Sequence, residues 1–328
     1  MLLVLVIPHE WGHMMVAKRC GVKVNEFSVG MGPLLFQRQK GDTMYSVRLL
    51  PLGGYCAMEG EEESVDSPES YSSKTNPQKV AILLAGVTMN VLIALLAVTI
   101  SICISGITVN TLSKVTPGTP AAEAGLQAGD TIVEINGSET DSWEDVVAGI
   151  SAWKEGDAPL EITYERGGKE TTAEVTPVYN EEINGYAIGI VAGVSHNVLK
   201  CARYGPIATW NLNKAMLSGF KMLFTGKLHK DDVAGPVGLV KVVDQAADYG
   251  VAPYLMLLAL VSLNLAFFNL LPIPGLDGGK IFFIILKVIS GGRITDDMEY
   301  KATVAGMVLL LSLFALITFN DVMNIFGK

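Results

Sequence analysis

Charge is scarce in this chain. Of its 328 residues only 17% are Asp, Glu, Lys or Arg, while 50% are hydrophobic, and the mean hydropathy is +0.39. Ordinary soluble domains carry about 25% charge, so a water-exposed globule over the whole length is excluded. Positive charge is scarcest: 24 Lys and Arg stand against 33 Asp and Glu, a net charge of −9. Nucleic-acid binding needs clustered cations to meet phosphate, and no such function fits. The four cysteines (Cys20, Cys56, Cys103, Cys201) are scattered, with no CxxC spacing. They make neither a disulfide framework nor a thiolate zinc site, and buried thiols are expected. Histidine is equally rare, at four residues, and two of the four fall within five positions.

What the chain does have is long apolar runs. One opens it and ends at Lys18-Arg19. The others are Val80 to Ile107, Ala252 to Leu276, and Ala302 to Phe319. Each is long enough, or nearly so, to cross a bilayer, giving four expected spans. The first lacks a basic leader and a small-x-small cleavage site, so it reads as a retained helix and not a signal peptide. Lys and Arg crowd the stretch between the first and second spans and recur between the third and fourth. Positive charge marks the cytoplasmic side. The stretch from about 108 to 250 and both termini are therefore expected outside.

Inside the first run lies His9-Glu10-Trp11-Gly12-His13. On a helix, residues four apart share a face, so both imidazoles can grip one zinc ion. Glu10 beside them can take a proton from an attacking water. Three ionisable groups in an apolar span are costly and functional by default. Pro8, just before His9, removes a backbone donor and is tolerable only near a helix start.

Catalytic zinc takes three protein ligands. The candidate third is Asp277, which ends the third apolar run after the helix-breaking Pro272, Pro274 and Gly275. Alone, Asp277 reads as the cap of the following helix. Beside an intramembrane His-Glu-x-x-His, the ligand reading prevails. His196 and His229 sit in polar surroundings and are expected at the surface.

Between the first two runs, Val24 to Gln37 and Met44 to Tyr55 are β-prone and broken by glycines, as in one or two hairpins. Gly60 to Pro77 is acidic and Ser-rich and is expected to be loose. From Lys114 onward, turn signals separate a strand, a short helix, a strand, a helix over Asp141 to Trp153, and a hairpin turning at Gly167-Gly168. Tyr204 to Thr225 has helical apolar spacing. It is read either as an interfacial amphipathic helix or as a helix covering the module before it.

These pieces together resemble the bacterial site-2 proteases, intramembrane zinc metalloproteases of regulated proteolysis. The matching segments are HEWGH at 9–13, FSVGMGPLLF at 27–36, LPLGGY at 50–55, LAGVTMN at 84–90, GPVG at 235–238 and SLNLAFFNLLPIPGLDGG at 262–279. The resemblance implies a polytopic α-helical membrane protein with four transmembrane helices, a membrane-associated β-hairpin and an inserted α+β PDZ domain. Its division is 1–107 for the first membrane half (span about 1–19, hairpin region 20–79, span 80–107) and 108–180 for the PDZ domain. An extracytoplasmic segment then covers 181–250, and 251–328 is the second membrane half (spans 251–276 and 302–320).

The resemblance also implies that His9, His13 and Asp277 bind zinc and that Glu10 is the general base. Asn90, Asn264 and Asn269 would touch substrate or steady the site, with helix–helix hydrogen bonding as their alternative. Gly53 and Gly54 belong to the hairpin that holds substrate as an added strand. Substrates would be transmembrane segments of single-pass proteins, such as anti-sigma factors after a first cut or remnant signal peptides. The enzyme would sit in the bacterial cell membrane with its site towards the cytoplasm and its PDZ domain outside, open to a peptide or chain terminus. One departure is Lys280, where many relatives carry His. Two rival readings are an inactive PDZ-bearing membrane scaffold or chaperone, and a metal transporter. The complete set of ligand residues speaks against the first and the absence of internal repeats against the second.

Overall fold

The first apolar run folds as one helix, α1 (Leu2–Arg19). Its last turn carries Lys18 and Arg19, whose charges suit the negative end of the helix dipole. Pro8 lies within it, leaving the Val4 carbonyl without an intrahelical donor. The helix nevertheless continues through both histidines. The structure, a computed structural model, describes residues 1–61, 65–181, 183–225, 236–291 and 293–326. His229 and Gly235 of the GPVG segment lie outside these. The chain divides into two units, residues 1–101 with 205–328, and residues 102–204.

In the first unit, α1 is followed by β1 (Val24–Lys40) and β2 (Thr43–Met58), an antiparallel pair. The pair is doubled over. Phe27 faces both Tyr45 and Cys56, so Glu26 to Val29 lie between the two ends of β2. Gly30 allows this fold at φ +86°, and a Cβ there would stand 2.8 Å from the carbonyls of Arg48 and Leu50. Met14 and Ala17 of α1 pack on Phe27, Cys56 and Met58 of the hairpin, with Tyr71 and Ile82 in the same core. Tyr71 belongs to the Ser-rich segment expected to be loose. Its described part is instead anchored: Ser70 and Tyr71 are buried, and the Tyr71 amide donates to the Glu59 carbonyl at 2.7 Å. The composition signalled solvation, but one aromatic and a few backbone bonds outweigh it.

Two helices among the described residues are long and apolar enough to cross a membrane: α2 (Asn76–Ser105) and α7 (Val251–Leu270). Hydroxyls join them. Ser101 Oγ donates to the Ala252 carbonyl at 2.8 Å and Ser262 Oγ to the Asn90 carbonyl at 2.7 Å. After α7 the backbone runs irregularly through residues 271–276 and re-enters a helix, α8 (Asp277–Ile289). Gly278 and Gly279 let this first turn rest on preceding carbonyls. A Cβ would stand 2.3 Å from the Leu270 oxygen and 2.2 Å from that of Ile273. The remaining helices of this unit are most of α5 (Val198–Phe224), then α6 (Pro236–Asp248) and α9 (Asp296–Phe326).

The second unit is built on a sheet whose strands run in the order β10-β3-β4-β6-β7, with β5 paired to β4. These are β3 (Ile107–Val115), β4 (Thr131–Ile135), β5 (Ser138–Glu139), β6 (Leu160–Arg166), β7 (Lys169–Val175) and β10 (Ile190–Ser195). Two short helices, α3 (Pro120–Glu123) and α4 (Trp143–Ser151), and a small β8 (Val178–Asn180)–β9 (Gly185–Ala187) ribbon complete it. Ile132, Val146, Leu160 and Ile162 form its core. α4 opens with a Ser142–Asp145 capping box, which satisfies two otherwise unpaired donors. His196 is exposed, as expected, with Nδ1 3.1 Å from the Cys103 carbonyl oxygen.

Asp130 is the buried charge among this unit's described residues, 1% exposed. It accepts from Arg166 Nε and Nη2 at 2.6 and 2.7 Å and from the Gln127 amide at 2.7 Å. Burial pushes its pKa up, but the Arg166 hydrogen bonds, the Gln127 amide and the Arg166 charge outweigh that and hold it below the usual range. A depressed carboxylate stabilises the fold above its unfolded pKa of about 3.9 and loses that contribution as pH falls through the folded value. Asp130→Asn is expected to destabilise the unit by about 1–3 kcal/mol near neutral pH, and by progressively less below about pH 4. Hydrogen exchange of the β4 and β6 amides in the full chain measures both.

Candidate metal centre

α1 presents His9 and His13 on one buried face. Their Nε2 atoms stand 3.1 Å apart. Asp277, the first residue of α8, brings Oδ2 to 3.3 Å from His9 Nε2 and 3.4 Å from His13 Nε2. Ligands about 2.0–2.1 Å from a tetrahedral zinc stand about 3.3–3.4 Å from one another. The three separations therefore match one zinc. Asp277 Oδ2 is buried and accepts no hydrogen bond of acceptable geometry. Its cap alternative is not realised: the cap residue is Leu276, without a side-chain cap bond. A buried carboxylate oxygen without a hydrogen bond, facing two ring nitrogens, suits a shared cation. Among the described residues, His9, His13 and Asp277 form the one cluster able to hold a metal.

The imidazoles are held from behind. His13 Nδ1 donates to the Ile82 carbonyl at 2.8 Å, which leaves the Nε2 lone pair for a metal. Asn90 Nδ2 lies 3.3 Å from His9 Nδ1, while Asn90 Oδ1 is buried without a partner. With the two ends of that amide exchanged, Oδ1 accepts from His9 Nδ1–H, and His9 Nε2 is likewise freed. Asn269 Nδ2 is 3.3 Å from His9 Nε2.

These residues line one cavity of about 880 Å³, together with Glu10 and the Tyr55 to Met58 end of β2. That is ample for a short extended peptide. Glu10 is on the wall beside the hairpin, where its Cγ is 3.8 Å from the position of a Cβ on Gly54. Gly53 and Gly54 directly precede the lining stretch of β2. Asn90 and Asn269 line the cavity, while Asn264 is half-buried on α7 and is not among the lining residues.

Two glycines escaped the sequence reading. A Cβ on Gly86 would stand 2.3 Å from His13 Nε2 and 2.7 Å from His9 Cε1. One on Gly12 would stand 2.6 Å from the Ala85 carbonyl oxygen. α1 and α2 thus meet through two missing side chains, and Gly86 is the floor under the histidines. The available signal was a glycine inside an uncharged helical run, where it costs about 1 kcal/mol relative to alanine and asks for a packing reason.

An apolar helical chain that joins a buried two-histidine, one-aspartate cluster to a neighbouring glutamate has the makings of a zinc peptidase set among membrane helices. The model of peptidase family M50 matches residues 1–313; the chain belongs to this family, the site-2 proteases, and is a zinc metalloprotease. A Clostridium acetobutylicum protein provisionally named a zinc metalloprotease is 35% identical over 97% of this chain and 94% of its own length. The Regulator of sigma-W protease RasP of Bacillus subtilis is 28% identical over 98% of this chain and 96% of its own. A crystal structure of the PDZ domain of an SdrC-like protein from Listeria monocytogenes is also similar. It shows 31% identity over 26% of this chain and 86% of that domain, with a TM-score of 0.23.

Proposed function

We propose that this chain is an intramembrane endopeptidase that cuts transmembrane segments of single-pass membrane proteins. The observation that carries the reading is the convergence of His9, His13 and Asp277 at separations of 3.1 to 3.4 Å. Those three residues would hold zinc. When bound, zinc polarises a scissile carbonyl and lowers the pKa of an attacking water towards about 7. Glu10 accepts the water's proton and passes it to the leaving amine. The substrate helix unwinds to lie along the hairpin at Gly53 and Gly54, since a helical carbonyl is shielded by its own hydrogen bond. Asn90 orients His9, Asn269 faces the cavity and can meet the substrate backbone, and Asn264 serves helix contact or substrate from α7.

In this reading α1, α2, α7 and α9 are the four spans. The site lies towards the cytoplasm, where Lys and Arg are concentrated. Residues 108–180 form an extracytoplasmic PDZ domain between membrane halves 1–107 and 251–328, and residues 181–250 follow it as an amphipathic segment. Anti-sigma factors after a first cut, and remnant signal peptides, are the substrates that fit.

The test uses full-length protein in detergent and a single-span model substrate. The protein is expected to hold one zinc, to lose cleavage on chelation and to regain it with added zinc. Zinc-loaded protein that leaves the substrate whole, or metal-free protein that cuts it equally fast, defeats the proposal.

A further inference from the structure

Lys280, which departs from the family's usual His, is not an idle surface cation. It lies one helical turn after Asp277, so the two share a face of α8. Its Nζ meets Glu61 Oε1 at 2.6 Å across 219 positions of sequence. The Glu61 side chain is 16% exposed and that of Lys280 32%, and both line the metal-site cavity. Glu61 stands three residues beyond the end of β2, whose last residues form the opposite wall. The segment is pinned on the hairpin side too. Glu59 pairs with Lys23 at 2.9 Å, and its amide donates to the Lys23 carbonyl at 2.9 Å. From that anchored point Glu61 reaches over to the turn that carries Asp277.

We infer that the Glu61–Lys280 ion pair is a clasp across the mouth of the cavity. It fixes the spacing between the end of β2 and the Asp277 turn, and so sets how tightly an extended substrate segment is held. Lys280 is a positioning residue here and takes no part in proton transfer. The inference rests on the proteolytic reading above for its substrate, but the clasp itself has a readout that needs no cleavage.

The experiment uses zinc-loaded full-length protein in detergent and a fluorogenic single-span peptide. It compares Lys280→Met, Glu61→Gln, Lys280→Arg and the charge-reversed pair of Lys280→Glu with Glu61→Lys. Lys280→Met and Glu61→Gln are expected to keep their zinc and to speed hydrogen exchange in residues 55–61 and in the first turn of α8. They should raise KM about tenfold while kcat stays within about threefold, since a wall freed to move is less pre-organised and its ordering cost then falls on substrate binding. Lys280→Arg and the charge-reversed pair should recover most of the wild-type KM and exchange. Unchanged exchange in Lys280→Met overturns the clasp, as does faster exchange with an unaltered KM. Failure of the reversed pair to recover either readout also counts against it. Zinc-loaded wild type that cuts no transmembrane peptide defeats the proteolytic reading instead, and the exchange comparison then still decides the clasp.

Discussion

Glu10→Gln is expected to bind zinc as wild type does and to cleave a single-span substrate about 10³-fold more slowly, within the range for loss of a general base. The replacement is nearly isosteric, so the cavity wall against Gly54 is undisturbed. None of the three converging atoms belongs to Glu10, so metal content should not change. What is lost is the only acidic side chain of α1, next in sequence to one proposed ligand and three residues from the other. A glutamine cannot accept the water's proton at any pH near neutral. Metal analysis beside single-turnover cleavage separates this outcome from simple misfolding. Full cleavage by a zinc-loaded Glu10→Gln protein would remove Glu10 from the mechanism.

Gly86→Ala should produce the opposite pattern, with metal lost and activity lost with it. The added carbon would stand 2.3 Å from His13 Nε2 and 2.6 Å from His13 Cε1, far inside contact distance. Nε2 is the ring atom that faces His9 and Asp277. To relieve the clash, α1 and α2 must separate or the rings must rotate. His13 is tied from its other nitrogen to Ile82, itself on α2, so rotation breaks that bond. Disturbing such supports typically lowers metal affinity 10–100-fold, and about 100-fold is expected here because the intrusion meets the ligand itself. A competitive zinc titration against a chromophoric chelator gives the number. Wild-type zinc affinity in Gly86→Ala would show that the two helices are not packed as described.

Much of this was legible in the residues. The period of four between His9 and His13 needs only a helix, and the apolar run supplies one. Asp277 by itself reads as a helix cap, and only the His-Glu-x-x-His motif, which needs a third ligand, turns that carboxylate into a candidate. Turn residues marked β4, β6 and β7 of the 102–204 unit but not β8, β9 or β10, and the β-prone runs marked the hairpin, though not that β1 would lie between the two ends of β2. What stayed hidden depends on which surfaces meet. Gly86 and Gly12 are ordinary glycines until α1 is laid on α2. Glu61 and Lys280 are two charges among many until α8 is placed beside the hairpin. Tyr71 was masked by its polar, acidic neighbours, because composition averages over a segment while burial is decided residue by residue. Asn264 shows the converse. Grouped with Asn269 in one motif, it sits five residues away on α7 and is not among the residues lining the cavity.

The wide separation of His13 and Asp277 in the chain also has a meaning in time. At about 5–20 residues per second, roughly 15–50 s pass on the ribosome between making the two histidines and making the aspartate. Throughout that interval the nascent first half carries Glu10 and two histidines but lacks the carboxylate that completes the cluster. Asn90, whose backbone oxygen is held by Ser262, also waits for α7. The centre can therefore close only after the second half has been made and docked. A chain stalled before residue 277 holds two of the three groups of the candidate metal centre, and the order of synthesis itself delays its assembly.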